Sequence, residues 1–361
     1  MKIVLLPLLL LLGTGTVVAQ DTAAAGAPVP DVPDSLVQAR EAAIAGDFKK
    51  AAAILEDAAQ AGNADSAFAL GEFYLEGTGV EQSVTAALEW YERAADGGNA
   101  MALFRQGELY LTGKRGVAQH TERGRFLLQS AGEAGVADAW MMLGGVLEAE
   151  ADAADAAPDR KKLFSRAREY YRQAAKGGSK VGQRKLGLML EEGKGGGKDA
   201  AQAISWLKKA ALNGDAASMD ALGARYKDGN VVEKDAIVAL GWLLASAERG
   251  FPPGMTNLGL CYEQGFAVPR NYDQAGSWYA KASKQGYAPA QFLLGQLFEH
   301  GRGTKLNPVF AFTNYSRAAS QGVPAAATAR DRIRKNLSPA QLREADKILG
   351  TAGAPEGAES P

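Results

Sequence analysis

A glycine, usually preceded by leucine, returns about every 36 residues along most of this chain, and a period of that length admits few folds. The glycines are Gly71, Gly107, Gly144, Gly187, Gly223, Gly259 and Gly295, spaced by 36, 37, 43, 36, 36 and 36 residues. Three residues beyond each stands Tyr74, Tyr110, Leu147, Leu190, Tyr226, Tyr262 or Phe298. A bulky column follows in Trp90, Phe126, Tyr170, Trp206, Trp242 and Trp278, with Asn314 departing from it. Small pairs come next, from Ala94-Ala95 to Ala318-Ala319, and each unit closes near a glycine, from Gly98 to Gly322.

The spacing has a mechanical meaning. Leu70 and Tyr74 lie four apart, on one face of a helix, and Gly71 on that face lets a second helix approach closely. The run Glu76-Gly77-Thr78-Gly79-Val80 ends that helix, because glycine accepts the left-handed cap. A second helix follows, with Ala87, Trp90, Tyr91 and Ala94 as its packing stripe, and Gly97-Gly98-Asn99 stops it. One such hairpin cannot bury its apolar face alone, so neighbours must stack.

The segments Ala67 through Val80, Ala87 through Asn99, Leu258 through Gly265 and Leu294 through Gly301 resemble the Sel-one-like repeat family, relatives of the tetratricopeptide repeats. The resemblance covers residues 64–323 in seven copies. It implies an all-α, right-handed superhelical solenoid of helix–turn–helix repeats, and a protein that binds other proteins rather than a catalyst. Two copies depart from the pattern. Gln106 takes the place of leucine in the second, which is expected to loosen its packing. The third carries an insertion, Glu148 to Lys162, expected as a longer hairpin loop or an extended first helix.

The flanks read differently. Residues 1–19 have the order of a signal peptide: Lys2, an apolar run from Ile3 to Leu12, and small residues before Gln20. That run is too short to span a bilayer. The expected mature protein is periplasmic or secreted, without a transmembrane segment. Residues 20–34 read as a linker and 350–361 as a tail, both rich in Ala, Pro and Gly or Asp. Residues 35–63 are expected to form a capping hairpin around Gly46-Asp47-Phe48, and residues 324–349 capping helices. Ser338-Pro339-Ala340-Gln341 has the pattern of a capping box with proline at the first helical position.

Chemistry-bearing clusters are missing from the sequence. The histidines are His120 and His300 and the cysteine is Cys261, without a ligand pair at helical spacing, so no metal, cofactor or catalytic residue is assigned. Glu191-Glu192-Gly193-Lys194-Gly195-Gly196-Gly197-Lys198 has the composition of a phosphate loop, but it falls where every other repeat turns. The tryptophans in the repeat register are read as core. With 40 basic and 41 acidic residues the chain has a formal charge of -1, which gives no pull toward nucleic acid.

By resemblance to tetratricopeptide repeats, a partner would lie along the first helices, at positions six and three before the repeat glycine and one, four and five after it. Those positions hold Asp65, Glu72, Glu76, Glu108, Asp138, Glu148, Glu191, Glu192, Asp220, Asp228, Glu263 and Glu299, against Arg184 and Lys227. Phe68, Leu75, Met101, Phe104, Leu111, Met141, Leu188, Leu260 and Phe292 interleave with them. The expectation is an acidic and apolar groove, with a formal charge of about -10, for another protein or peptide with a basic and partly apolar segment. Two other classes stand beside this adaptor. One is a binder or hydrolase of cell-wall glycopeptide, like the family's β-lactamase-type members, whose cysteine pair in each repeat is absent here. The other is a self-assembling structural scaffold.

Overall fold

The computed structural model describes residues 34–351, which divide into two compact units, 34–182 and 183–351. The leader, nearly all of the linker and most of the tail read from the sequence lie outside them. The described residues are all helical apart from turns.

The first unit begins with α1 (Asp34–Ile44) and α2 (Phe48–Gln60). The hairpins α3 (Ala64–Glu76) with α4 (Val84–Asp96), and α5 (Ala100–Thr112) with α6 (Thr121–Glu133), follow. The pair α7 (Ala137–Ala153) and α8 (Ala157–Lys176) completes it, and the boundary between units falls inside α9 (Lys180–Glu192). In the second unit come α10 (Ala200–Leu212), α11 (Ala216–Asp228), α12 (Ala236–Glu248), α13 (Pro252–Gln264) and α14 (Tyr272–Lys284). They are followed by α15 (Ala288–His300), α16 (Pro308–Ser320), α17 (Pro324–Arg334) and α18 (Pro339–Thr351).

Local chemistry sets these boundaries. Asn63 and Asn99 cap first helices by accepting the backbone N–H of Ser66 and Ala102, which a helix start cannot satisfy internally. Ser83, Asp199, Asp235, Asn271 and Asn307 do the same for second helices. Gly77 ends α3 at φ 70°, a left-handed cap whose N–H reaches Phe73. Before α18, Ser338 and Gln341 each accept the other's backbone N–H, at 3.3 and 2.9 Å, closing the capping box.

The insertion in the third repeat lengthens both of its helices, α7 to 17 residues and α8 to 20, where the regular repeats have 13 in each. Gln106 is buried, and its amide donates to the Leu88 carbonyl at 3.1 Å, so a hydrogen bond replaces the expected loosening. The buried column of the second helices sits one residue after the tryptophans. It consists of Tyr91, Leu128, Tyr171, Leu207, Leu243, Tyr279 and Tyr315, each at most 1% exposed. Trp90 is buried, and Trp242 and Trp278, half-buried, pack against the core as read from the register, while Trp206 is also half-buried. Cationic side chains cover three of these rings: Arg93 on Trp90, Lys209 on Trp206 and Lys281 on Trp278. Phe126 is 70% exposed and does not belong to the packed column.

Candidate functional site

The repeat glycine exists for its neighbour on the second helix. A Cβ at Gly71 would lie 2.6 Å from the Tyr91 ring, and one at Gly259 would lie 2.5 Å from Tyr279. The tyrosine that fills this space sends its hydroxyl back to a carboxylate on the first helix. Tyr91 donates to Glu72 at 2.6 Å, Tyr171 to Glu148 at 2.6 Å, Tyr279 to Glu263 at 2.7 Å and Tyr315 to Glu299 at 2.6 Å. Burial pushes all four hydroxyls far above their usual range, and the adjacent carboxylates add to it, so they stay protonated donors. Four of the acids assigned to a groove are therefore hydrogen-bonded inside their own hairpins.

Neighbouring repeats neutralise others. Arg105 donates through Nη2 to Glu72 at 3.0 Å, its Nε lies 2.9 Å from the same carboxylate, and its Nη1 reaches Glu108 at 3.2 Å. Burial alone would lower the Arg105 pKa, and the surrounding carboxylates outweigh it, so the net shift is upward. Arg115 holds Glu76 at 2.6 Å from the turn of the next repeat, and Lys114 stands 3.9 Å from Glu108. In the second unit Arg225 pairs with Glu191 at 2.7 Å and Arg332 with Glu299 at 2.5 Å, while Arg184, itself at a lining position, is taken up by Asp215 at 2.9 Å, which is not a lining acid. Asn99 and Asn257 donate to Asp65 and Asp220. The expected charge of about -10 is thus compensated at Glu72, Glu76, Glu108, Glu191, Glu192 and Glu299, about half of the twelve acids, a correction with a simple cause. The bases that pair with lining acids lie outside the five lining positions, two residues before the glycine at Arg105, two after it at Arg225, and in turns and caps.

Within the first unit, Phe68, Glu72, Leu75 and Leu111 are buried, and Phe68 packs on Tyr91 with ring centres 5.8 Å apart. Glu76, Phe104, Glu108 and Met141 are half-buried, and Met101 is 37% exposed. Within the second unit, Glu191, Glu263 and Phe292 are half-buried, Phe292 packing on Tyr315 at 5.6 Å. Glu299, also half-buried, is bonded as above, whereas Asp228 is exposed. In the first unit the surface left after pairing is Met101, Phe104 and Met141, with Asp138 exposed beside them on α7.

Among the described residues no group of His, Cys, Asp and Glu is arranged to hold a metal ion, and no helix is long and apolar enough to cross a membrane. Cys261 is fully buried, and burial pushes its thiol up. His120 caps α6, its Nδ1 accepting the Arg123 N–H at 3.4 Å. Arg125 carries no assignment from the sequence, which places Phe126 in the bulky column rather than at an exposed site. A signal for Arg125 lay in the register, since it stands where four other repeats hold Leu88, Ile204, Leu240 and Phe312, with Arg168 and Gly276 in the remaining two.

A family model described as Sel1 repeat matches residues 64–99, 100–136, 159–179, 181–215, 216–251, 252–287 and 288–323. Solved structures similar to this chain include two of the same repeat type. A Sel1 repeat protein from Oxalobacter formigenes is 25% identical, with 91% of this chain and 94% of that one covered and a TM-score of 0.63. A protective antigen present in uropathogenic Escherichia coli strains, displaying an SLR fold, is 27% identical, covers 85% of this chain and 72% of its own, and has a TM-score of 0.59. No protein with a curated description matches.

Proposed function

Because the chain belongs to the Sel1 repeat family, whose members generally act as protein-interaction adaptors and are typically non-catalytic, we propose that it is an exported adaptor holding a partner protein against the first-helix face of its first unit. The observation that carries this reading is the accessible apolar set Met101, Phe104 and Met141 on consecutive first helices α5 and α7. Met101 and Phe104 are three apart and share one helix face. Methionine and phenylalanine together give an adaptable anchor. The partner segment is apolar first and basic second: Asp138 is free of ion pairs among the described residues, whereas Glu76 and Glu108 already hold Arg115, Arg105 and Lys114. Export rests on Lys2 and the apolar run Ile3–Leu12.

The test is quantitative cross-linked capture from an envelope extract by residues 20–361, compared with Met101→Asp/Phe104→Ala. A partner held by the wild type and lost by the variant, with unchanged melting, supports the assignment. Capture of the same set by both forms refutes it. A reversal of Glu72, Glu76 and Glu108 together is not a clean probe, since Glu72 is only 4% exposed and its change attacks the fold.

A further inference from the structure

The third repeat carries a second recognition site of opposite character. A cavity of about 270 Å³ opens between the second helices α6 and α8, with the first helix α7 as its floor. Leu143 and Leu147 form the base, Phe126 and Tyr170 the aromatic walls, and Arg125 and Arg166 the cationic ones, with Glu122 and Gln129 at the rim. Met101, Phe104 and Met141 do not line it.

Three departures from the repeat produce this cavity. The insertion lengthens α7 and α8. Arg125 stands on α6 where four other repeats carry an apolar side chain, the third carrying Arg168 and the sixth Gly276, and it turns to pair with Glu150 near the end of the lengthened α7. Its Nε–H is buried and makes no hydrogen bond. Phe126 stands where the other repeats carry Glu89, Glu169, Ser205, Gly241, Ser277 and Thr313, so the chain exposes a large apolar ring at a position otherwise small or polar. Phe126, 70% exposed, lies on the lining of the cavity with Tyr170, Leu143 and Leu147, so the aromatic ring is accessible to an incoming side chain there.

Charge says what covers it. Helix α8 carries seven bases, Arg160 to Lys176, against Asp159 and Glu169. Lys161, Lys162 and Arg166 are exposed and form none of the ion pairs seen among the described residues. Lys162 and Arg166 are four apart, so they make one cationic ridge leading to the cavity. Acids on α8 and around the cavity are fewer than the seven bases: Asp159 three residues before Lys162, Glu122 on the lining, Glu150 held by Arg125, and Glu169 held by Arg172.

We propose that this cavity docks an acidic segment of a partner protein, with an aromatic or leucine side chain seated between Phe126 and Tyr170 and flanking carboxylates on Arg166 and Lys162. An apolar anchor in a pocket supplies most of the affinity and the charges supply register and capture rate. The site is independent of the first-helix face, and the two together would let one adaptor hold two chains of different charge.

The test is selection of a random displayed peptide library on purified residues 20–361, followed by affinity measurement of the selected peptides. Selected peptides should pair Phe, Trp or Leu with Asp or Glu. Phe126→Ala should weaken them about tenfold. Arg166→Glu should weaken them by a similar factor and flatten the salt dependence, while Met101→Asp leaves them unchanged. Both pocket changes are at exposed residues, and unchanged melting checks the fold. Selection of basic peptides, an empty selection, or equal binding by wild type and Phe126→Ala overturns the proposal. So does binding to phosphatidylglycerol vesicles that Arg166→Glu abolishes and Phe126→Ala leaves intact, which would assign the ridge to a membrane surface.

Discussion

Gly144 and Gly145 are adjacent in α7, yet adding one methyl group to each should shift stability in opposite directions. A Cβ at Gly144 would lie 2.7 Å from Cε1 and 2.8 Å from Cδ1 of Tyr171. That ring is fully buried and is tethered through its hydroxyl to Glu148 at 2.6 Å, so it cannot slide aside without losing the bond. Overpacking costs about 1–3 kcal/mol. Loss of a hydrogen bond to a charged group costs about 1.5–3 kcal/mol. Against these, alanine in place of a helix-interior glycine recovers about 0.5–1 kcal/mol. The expected net loss for Gly144→Ala is about 3 kcal/mol, or roughly 6–12 °C in melting temperature for a unit of this size. At Gly145 the nearest atom is the Tyr171 hydroxyl at 3.9 Å, ordinary contact, so Gly145→Ala keeps only the helical gain and should melt about 1–4 °C higher. Scanning calorimetry with parallel urea titrations reads both. Releasing the tether with Tyr171→Phe should make Gly144→Ala less costly, with a coupling of about 1 kcal/mol. Two variants that shift together, or a neutral Gly144→Ala, would refute the claim that the ring and its hydrogen bond fix this glycine.

Glu72→Lys should cost more than about 3 kcal/mol in denaturant unfolding, because it breaks a buried pair, while Glu76→Lys should stay within about 1 kcal/mol. Asp220 lies in a buried setting that pushes its carboxyl up, against the Asn257 hydrogen bond and the Arg225 charge. The native state therefore keeps that proton at a pH where the unfolded chain has released it, and the group's contribution falls as pH rises above the ordinary value of 3.8. Asp220→Asn should raise the melting temperature at neutral pH, and the difference should shrink as pH falls toward that value. Cys261 should resist an aromatic disulfide reagent in the native protein and react fully in denaturant, since its thiol is fully buried.

Most of the architecture was legible because a period of 36 residues repeats the same physical problem seven times, and any residue that solves it seven times stands out. Gly71 and its successors belong to that class, whereas the capping box at Ser338 occurs once and was legible from its own pattern of serine, proline and glutamine. The site was less legible because it depends on what is not repeated. Assigning first-helix positions by register found Met101 and Phe104, but the same register hid Arg105 and Arg225, which sit outside the five columns and neutralise Glu72 and Glu191. The tyrosine–carboxylate bonds were hidden too, because a strand of sequence shows the acid and the tyrosine without showing that one hydroxyl reaches across the hairpin.

This distinction gives a rule for where recognition can reside in such a chain. A charged residue that recurs with a partner one repeat away, such as Glu72 with Arg105 or Glu191 with Arg225, is occupied by the stacking itself and contributes little field to a partner. A residue that breaks its column and stays exposed has no stacking role to explain it. Phe126, beside the inserted third repeat, meets that condition. Exchanging a paired acid should therefore alter melting before binding, and exchanging a column-breaking residue should alter binding before melting. The contrast between Glu72→Lys and Phe126→Ala puts that rule to a direct measurement within the first unit alone.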